Sequence, residues 1–99
     1  MNESTSSWHF LSNHAHILIC LATNPQERMR DVAVSVGITE RAAMRIVAQL
    51  EEAGVLTRHK EGRRNRYEIN GDQHLRHSLE SHCKIGSLLS LVVQDPKLT

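Results

Sequence analysis

The feature that most narrows what this chain can fold into is the run Arg30 to Ile69, where a helical period gives way to an alternating one. Met29, Val32, Ala33 and Val36 recur at three- and four-residue spacing, and so do Ala43, Ile46, Val47 and Leu50. Each set marks a helix with one apolar face. Between them, Gly37-Ile38-Thr39 leaves room only for a turn. Gly37 takes the left-handed backbone that ends a helix, and Thr39 offers an N-cap oxygen to the next one, with Glu40 favourable at its first position. The spacing predicts helices over Asp31–Val36 and Glu40–Ala53, the second closed by Gly54, with Ile38 plugging the corner. Glu51 and Glu52 oppose the helix dipole at that end, a local cost with no benefit visible in the sequence. Leu56–Ile69 then reads as a hairpin with Lys60-Glu61-Gly62-Arg63 at its tip, Gly62 being free to take positive φ. Asn65, Tyr67 and Ile69 share one strand face, and Arg64, Arg66 and Glu68 the other.

Two short helices joined by a tight turn and followed by a two-stranded wing make a shape that fits the grooves and backbone of duplex DNA. The expected fold class is therefore mainly α with a small β-hairpin wing, a winged helix-turn-helix. Flanking elements complete it. Met1–Ser7 is polar, Ser-rich and expected to be disordered, and with the apolar patch Trp8–Leu11 it forms an N-terminal arm, residues 1–11. Ser12 or Asn13 caps a first helix at about His14 to Ala22, whose apolar positions are Ala15, Leu18, Leu21 and Ala22. Trp8 and Leu11 share its phase, so an earlier start is open. Thr23-Asn24-Pro25-Gln26 is a turn, because Pro25 disfavours α geometry at Asn24. Residues 12–70 form the winged domain. Residues 71–99 form a C-terminal segment, helical from Leu75 to about Val93 with a break near Ser81–Gly86, and assigned to dimerisation.

Ninety-nine residues with one Trp, one Tyr and one Phe make one domain with an aliphatic core. Net charge is only +1, but its distribution is uneven. Of the 12 Lys and Arg, seven lie between Arg41 and Arg66 and five of those in the wing, a local footprint rather than a bulk charge. The 2 cysteines, Cys20 and Cys83, are far apart with no C-x-x-C pattern. They read as free thiols of a reduced, cytoplasmic chain. The apolar run Ile17–Ala22 is too short to span a bilayer, so no membrane association is expected.

At this point a family resemblance enters. Val32-Ala33-x-x-x-Gly37-Ile38-Thr39, then Arg45-Ile46-Val47, then Leu50-Glu51-Glu52-Ala53-Gly54-Val55-Leu56, then Gly62-Arg63-Arg64-Asn65-Arg66-Tyr67, resembles the small bacterial winged helix-turn-helix regulators of MarR/ArsR type over about Ser12 to Asn70. The resemblance implies sequence-specific duplex binding by a homodimer, with the third helix in the major groove and the wing on the flanking backbone or minor groove. The chain also departs from that pattern. Asp31–Val36 carries no ligand residue, so the Cys-pair sensor site of metal-sensing members is absent, and there is little room for the effector pocket of longer members.

The residues expected at DNA are Thr39, Glu40, Arg41 and Arg45 on the third helix and Arg58, Lys60, Arg63, Arg64 and Arg66 in the wing. Arg41 and Arg45 lie one turn apart, and an Arg can bond two guanine acceptors at once. Glu40 can accept from a cytosine amino group or simply hold Arg41. A solvated helix face is the plain alternative for these residues. For the wing the plain alternative is protection of an exposed strand edge, for which two or three charges suffice. Five, with only Glu61 among them, repel one another unless anions are near, so phosphate contact is favoured.

Two further groups stand out. Ile85, Leu88, Leu89 and Val92 make an apolar stripe that reads as core or, with Trp8 and Phe10, as a dimer interface. His74, His77, His82 and Cys83 are weak metal candidates, His74 and His77 at i, i+3 on a helix being the best of them. No Ser/His/Asp set, Gly-rich phosphate loop or H-E-x-x-H pattern is present, which speaks against an enzyme, and no cofactor is expected. The reading is a homodimeric DNA-binding transcriptional regulator, its effector unknown. The rivals are a winged-helix protein-interaction module, or a metal- or redox-responsive repressor using His74–Cys83.

Overall fold

In the computed structural model, which describes residues 8–93, helices α1 (Asn13–Thr23), α2 (Met29–Val36) and α3 (Glu40–Glu52) precede a hairpin, β1 (Leu56–Glu61) and β2 (Arg64–Ile69), and a short α4 (Ile85–Val92). The chain is a mainly helical winged helix-turn-helix. The disorder expected for Met1–Ser7, and the tail beyond Val93, lie outside the described residues.

α1 starts where the cap residue allows. Ser12 has extended backbone and its hydroxyl accepts from the Ala15 amide, and no helix runs back through Leu11. It ends at Asn24, which is extended as the residue before a proline must be. Ile17, Leu18 and Leu21 are buried on it, and it packs against α2, α3, α4 and β2.

α2 begins earlier than Asp31. The Arg28 carbonyl takes hydrogen bonds from both Asp31 and Val32 at 2.9 Å, which draws Met29 and Arg30 into the first turn. Its end is as the sequence requires: Gly37 has φ +89°, and the Gly37 and Ile38 amides both bond the Ala33 carbonyl. Thr39 caps α3 through its hydroxyl, which accepts from the Ala42 amide at 3.0 Å. Ala43, Ile46, Val47 and Leu50 face the core. Ala53 is the cap residue rather than the last helical one.

The hairpin is antiparallel, Leu56 opposite Ile69 through Glu61 opposite Arg64. Pairing runs past Lys60 and Glu61, so the tip is only Gly62-Arg63, with Gly62 at φ +66°. The Tyr67 amide donates to the Pro25 carbonyl at 2.9 Å, docking the α1–α2 turn on the outer side of β2.

The C-terminal segment departs most from expectation. Helix is confined to Ile85–Val92. Before it, His74 pairs with Lys84, the Leu75 amide bonds the Cys83 carbonyl and the Ile85 amide bonds the Gln73 carbonyl, so Gln73–Ile85 is a loop closed at its base. Inside the loop the His77 ring accepts from the Leu79 amide and the His74 ring bonds the Ser81 carbonyl. Such side-chain to backbone bonds compete with a helix. Gly86 has a packing reason instead of a helix-breaking one. Its amide bonds the Gly71 carbonyl, and a Cβ on Gly71 would stand 3.2 Å from the Gly86 Cα.

One aliphatic core results, with Tyr67 as its aromatic member. Ile85, Leu89 and Val93 are buried in it. The interface assigned to Ile85 and Leu89 is therefore corrected: α4 is short, lies against α1, and turns these side chains inward. Leu89→Ala should cost about 2–5 kcal/mol in urea unfolding, as a cavity in a packed core does. Leu79→Ala, at a position 80% exposed, should stay within about 0.5 kcal/mol of the parent.

Candidate nucleic-acid interface

The burial of Ala43, Ile46, Val47 and Leu50 fixes what α3 shows to solvent. The opposite stripe is Arg41, Met44, Arg45 and Ala48, all exposed. These are i, i+3, i+4 and i+7 of one face, about 10 Å long at 1.5 Å per residue. Arg41 and Arg45 make no ion pair with any described residue. Thr39 has its hydroxyl engaged in the cap, so it sets where the stripe begins. Glu40 is exposed in the first turn. At the far end Gln49 is hydrogen-bonded to the His14 ring at 2.8 Å. Glu51 reaches Arg58 of β1 at 3.2 Å, so the acid that opposes the α3 dipole ties the helix to the wing.

The wing is less freely cationic than its sequence. Besides the Arg58–Glu51 pair, Arg66 bonds Glu61 at 2.8 Å, and the His59 ring lies 2.9 Å from Glu68. The anions that five crowded cations call for are partly supplied by the protein itself, through Glu51 and Glu61. Cross-strand register divides the remainder: Arg58 and Lys60 share the face of Tyr67, and Arg64 and Arg66 the other. Lys60, Arg63 and Arg64 have no carboxylate partner among the described residues, and Arg64 donates to the Gln26 carbonyl at 2.8 Å.

Gln26 also donates from its side chain to Glu61 at 2.9 Å. With the Pro25–Tyr67 bond, this brings the start of α2 against the wing tip. A cleft of about 340 Å³ lies there, lined by Glu27, Arg28, Met29, Arg63, Arg64 and Asn65 among others. Arg28 was not among the expected site residues. In sequence it belongs to no periodic face, and only the long-range docking of the turn onto β2 sets it beside Arg63 and Arg64. Met44 and Ala48 were passed over too, although their phase with Arg41 was readable.

The other expected groups fare differently. Among the described residues no cluster of three or more His, Cys, Asp or Glu is placed to hold a metal. The i, i+3 geometry of His74 and His77 does not exist, because the segment is a loop, and both rings are engaged with backbone. Trp8 and Phe10 are exposed and pack edge to face, centroids 4.9 Å apart. Leu88 and Val92 are half-buried. A groove of about 650 Å³ runs between α1, the end of α3 and α4, lined by Ala15, Leu18, Leu50, Val55, Leu75 and Leu88 among others.

Two side chains have shifted acidities. The hydrogen bond from Arg66 is the main cause holding the Glu61 carboxyl below its ordinary value, with further help from the charge of Arg66 and the bond from Gln26. Burial, followed by the Glu27 charge, pushes the half-buried Cys20 thiol up, as suits an inert structural cysteine.

Residues 12–57 match the family described as winged helix-turn-helix DNA-binding. The match runs from the α1 cap through α2 and α3 into β1, and supports a DNA-binding winged-helix domain. No curated protein matches the chain. No described helix is long and apolar enough to cross a membrane.

Because folding lowers the pKa of Glu61, its contribution to stability is full above the unfolded carboxyl range and is lost as pH falls through the lowered folded value. An NMR titration should place the Glu61 midpoint below 4.5, its ordinary value, and Arg66→Gln should return the midpoint toward it.

Proposed function

We propose that this chain is a sequence-specific, double-stranded DNA-binding transcriptional regulator without catalytic activity, acting as a homodimer. The observation that carries the reading is the exposed α3 stripe, two guanidinia with no ion-pair partner among the described residues on the second helix of a winged helix-turn-helix. Duplex DNA is the partner whose acceptors such a stripe suits. Arg41 and Arg45 meet base edges in the major groove. Glu40 accepts from a cytosine amino group or positions Arg41, and Thr39 holds the start of the helix.

In the wing, Lys60, Arg63 and Arg64 lie on phosphates, joined by Arg28 across the cleft. Arg58 and Arg66 act mainly through Glu51 and Glu61, keeping the hairpin in its stance. The likeness to bacterial MarR/ArsR-type regulators belongs to this reading. So does the dimer, for which the exposed Phe10 and Leu91, with Trp8, Leu88 and Val92 beside them, supply apolar surface. One α3 stripe spans about three base-pair steps, too few for a unique site, and two copies at fixed spacing remedy that.

Duplexes selected from a random pool should share a motif and bind with an affinity that falls as salt rises, the log–log slope being about −0.9 per phosphate neutralised. Arg41→Ala should relax preference at one position, by about 1–3 kcal/mol. Arg63→Ala should weaken all sequences alike and flatten the slope by about 0.9. A chain that binds no duplex in a salt-sensitive manner would sink the reading and favour a protein-docking module. Sedimentation should give twice the chain mass, and Leu91→Ser with Phe10→Ser should lower it.

A further inference from the structure

We infer that Met44, seconded by Ala48, contacts the 5-methyl group of thymine and is a specificity-determining residue of the α3 face. The inference rests on the DNA-binding reading above and adds a base that its arginines do not read. Met44 is 53% exposed, one of six large apolar side chains so placed among the described residues. An exposed Met on a helix is unremarkable alone, being a good helix former. Its neighbours give it meaning. It lies three residues after Arg41 and one before Arg45, so the three side chains project from the same face, and Ala48 adds a methyl one turn further on.

A protein partner that covered Met44 would have to take two guanidinia out of water with it. The floor of a major groove accepts all three at once. Guanine offers N7 and O6 to each arginine, and thymine offers the one apolar group on any base edge. The thioether arm has three rotatable bonds and polarisable sulfur, and so follows a methyl that sits between two fixed base contacts. The stripe is also closed at its far end, where Gln49 is held by His14 and Glu51 is turned to Arg58. Met44 is thus central in the readable length, where a contact to a base edge is best shielded from water.

The test uses the full chain and the duplexes recovered from the random pool. Each thymine is replaced in turn by deoxyuridine, which removes only the methyl group. The parent chain should lose about fourfold in affinity at one or two thymines of the site, the worth of one methyl group buried. Met44→Ala and Met44→Gln, both at an exposed helical position and checked for parent-like circular dichroism, should lose the uracil penalty at one of those thymines, any second being kept by Ala48. A parent chain indifferent to every replacement overturns the inference while salt-sensitive, sequence-selective binding keeps the DNA reading intact. The same follows if both variants retain the parent's uracil penalty in full. Loss of duplex binding altogether overturns both.

Discussion

The packing of α1 is the constraint from which the rest of the lobe follows. Ile17 and Leu21 are fully buried with Leu18, and the partly buried Ile19, Cys20 and Ala22 give α1 apolar contact on more than one side. A helix with an apolar girdle rather than a stripe must be enclosed. α2, α3, α4 and β2 do so. Once α3 has turned its four core residues toward that centre, its outward stripe has no remaining choice of side chains. The readable face is, in this sense, what is left after the core has been satisfied.

Electrostatics then refines what packing has placed. The net charge of +1 hides an arrangement in which acids are engaged inside the hairpin and at its root, while the α3 arginines have no ion-pair partner among the described residues. Exposed pairs of this kind contribute little stability. Their role is geometric: Glu61 and Glu68 each tie the two strands across their outer face, and Glu51 couples the end of α3 to β1. A hairpin whose core-facing side is held by Leu56, Tyr67 and Ile69 gains a fixed attitude to the lobe from these contacts and from Gln26.

Much of the fold was legible because its punctuation is local. Gly37, Thr39, Gly54 and Gly62 each name a backbone conformation at one residue, and the structure uses all four as read. Alternation in β2 likewise assigned Tyr67 inward, since a strand has only two faces. What escaped was set by residues distant in sequence. Arg28 starts α2 and reaches the wing through the Pro25–Tyr67 bond, which no local pattern announces. The helical tendency after Leu75 gave way to pairing of Gln73–Leu75 with Cys83–Ile85, and a period that suits a dimer seam in α4 suits a core equally well. The acid partners in the wing were visible as residues, but their pairing depends on strand register, which one shift would have reversed.

The Gln26 carbonyl bond gives Arg64 a property that Lys60 lacks. A free arginine or lysine carries about 2 kcal/mol of rotamer entropy, all of it at risk when the side chain is immobilised by a ligand. Arg64 surrenders part of this on folding, because one of its five N–H donors is already engaged at 2.8 Å. The other four remain available, and the planar group is held in one orientation. An anion on the outer face of the wing would find Arg64 set like a fixed jaw, and one on the Tyr67 face would meet Lys60 as a loose tether. Two cations of equal charge thus differ in how far they are preorganised, and it is a backbone carbonyl 38 residues back along the chain that makes the difference.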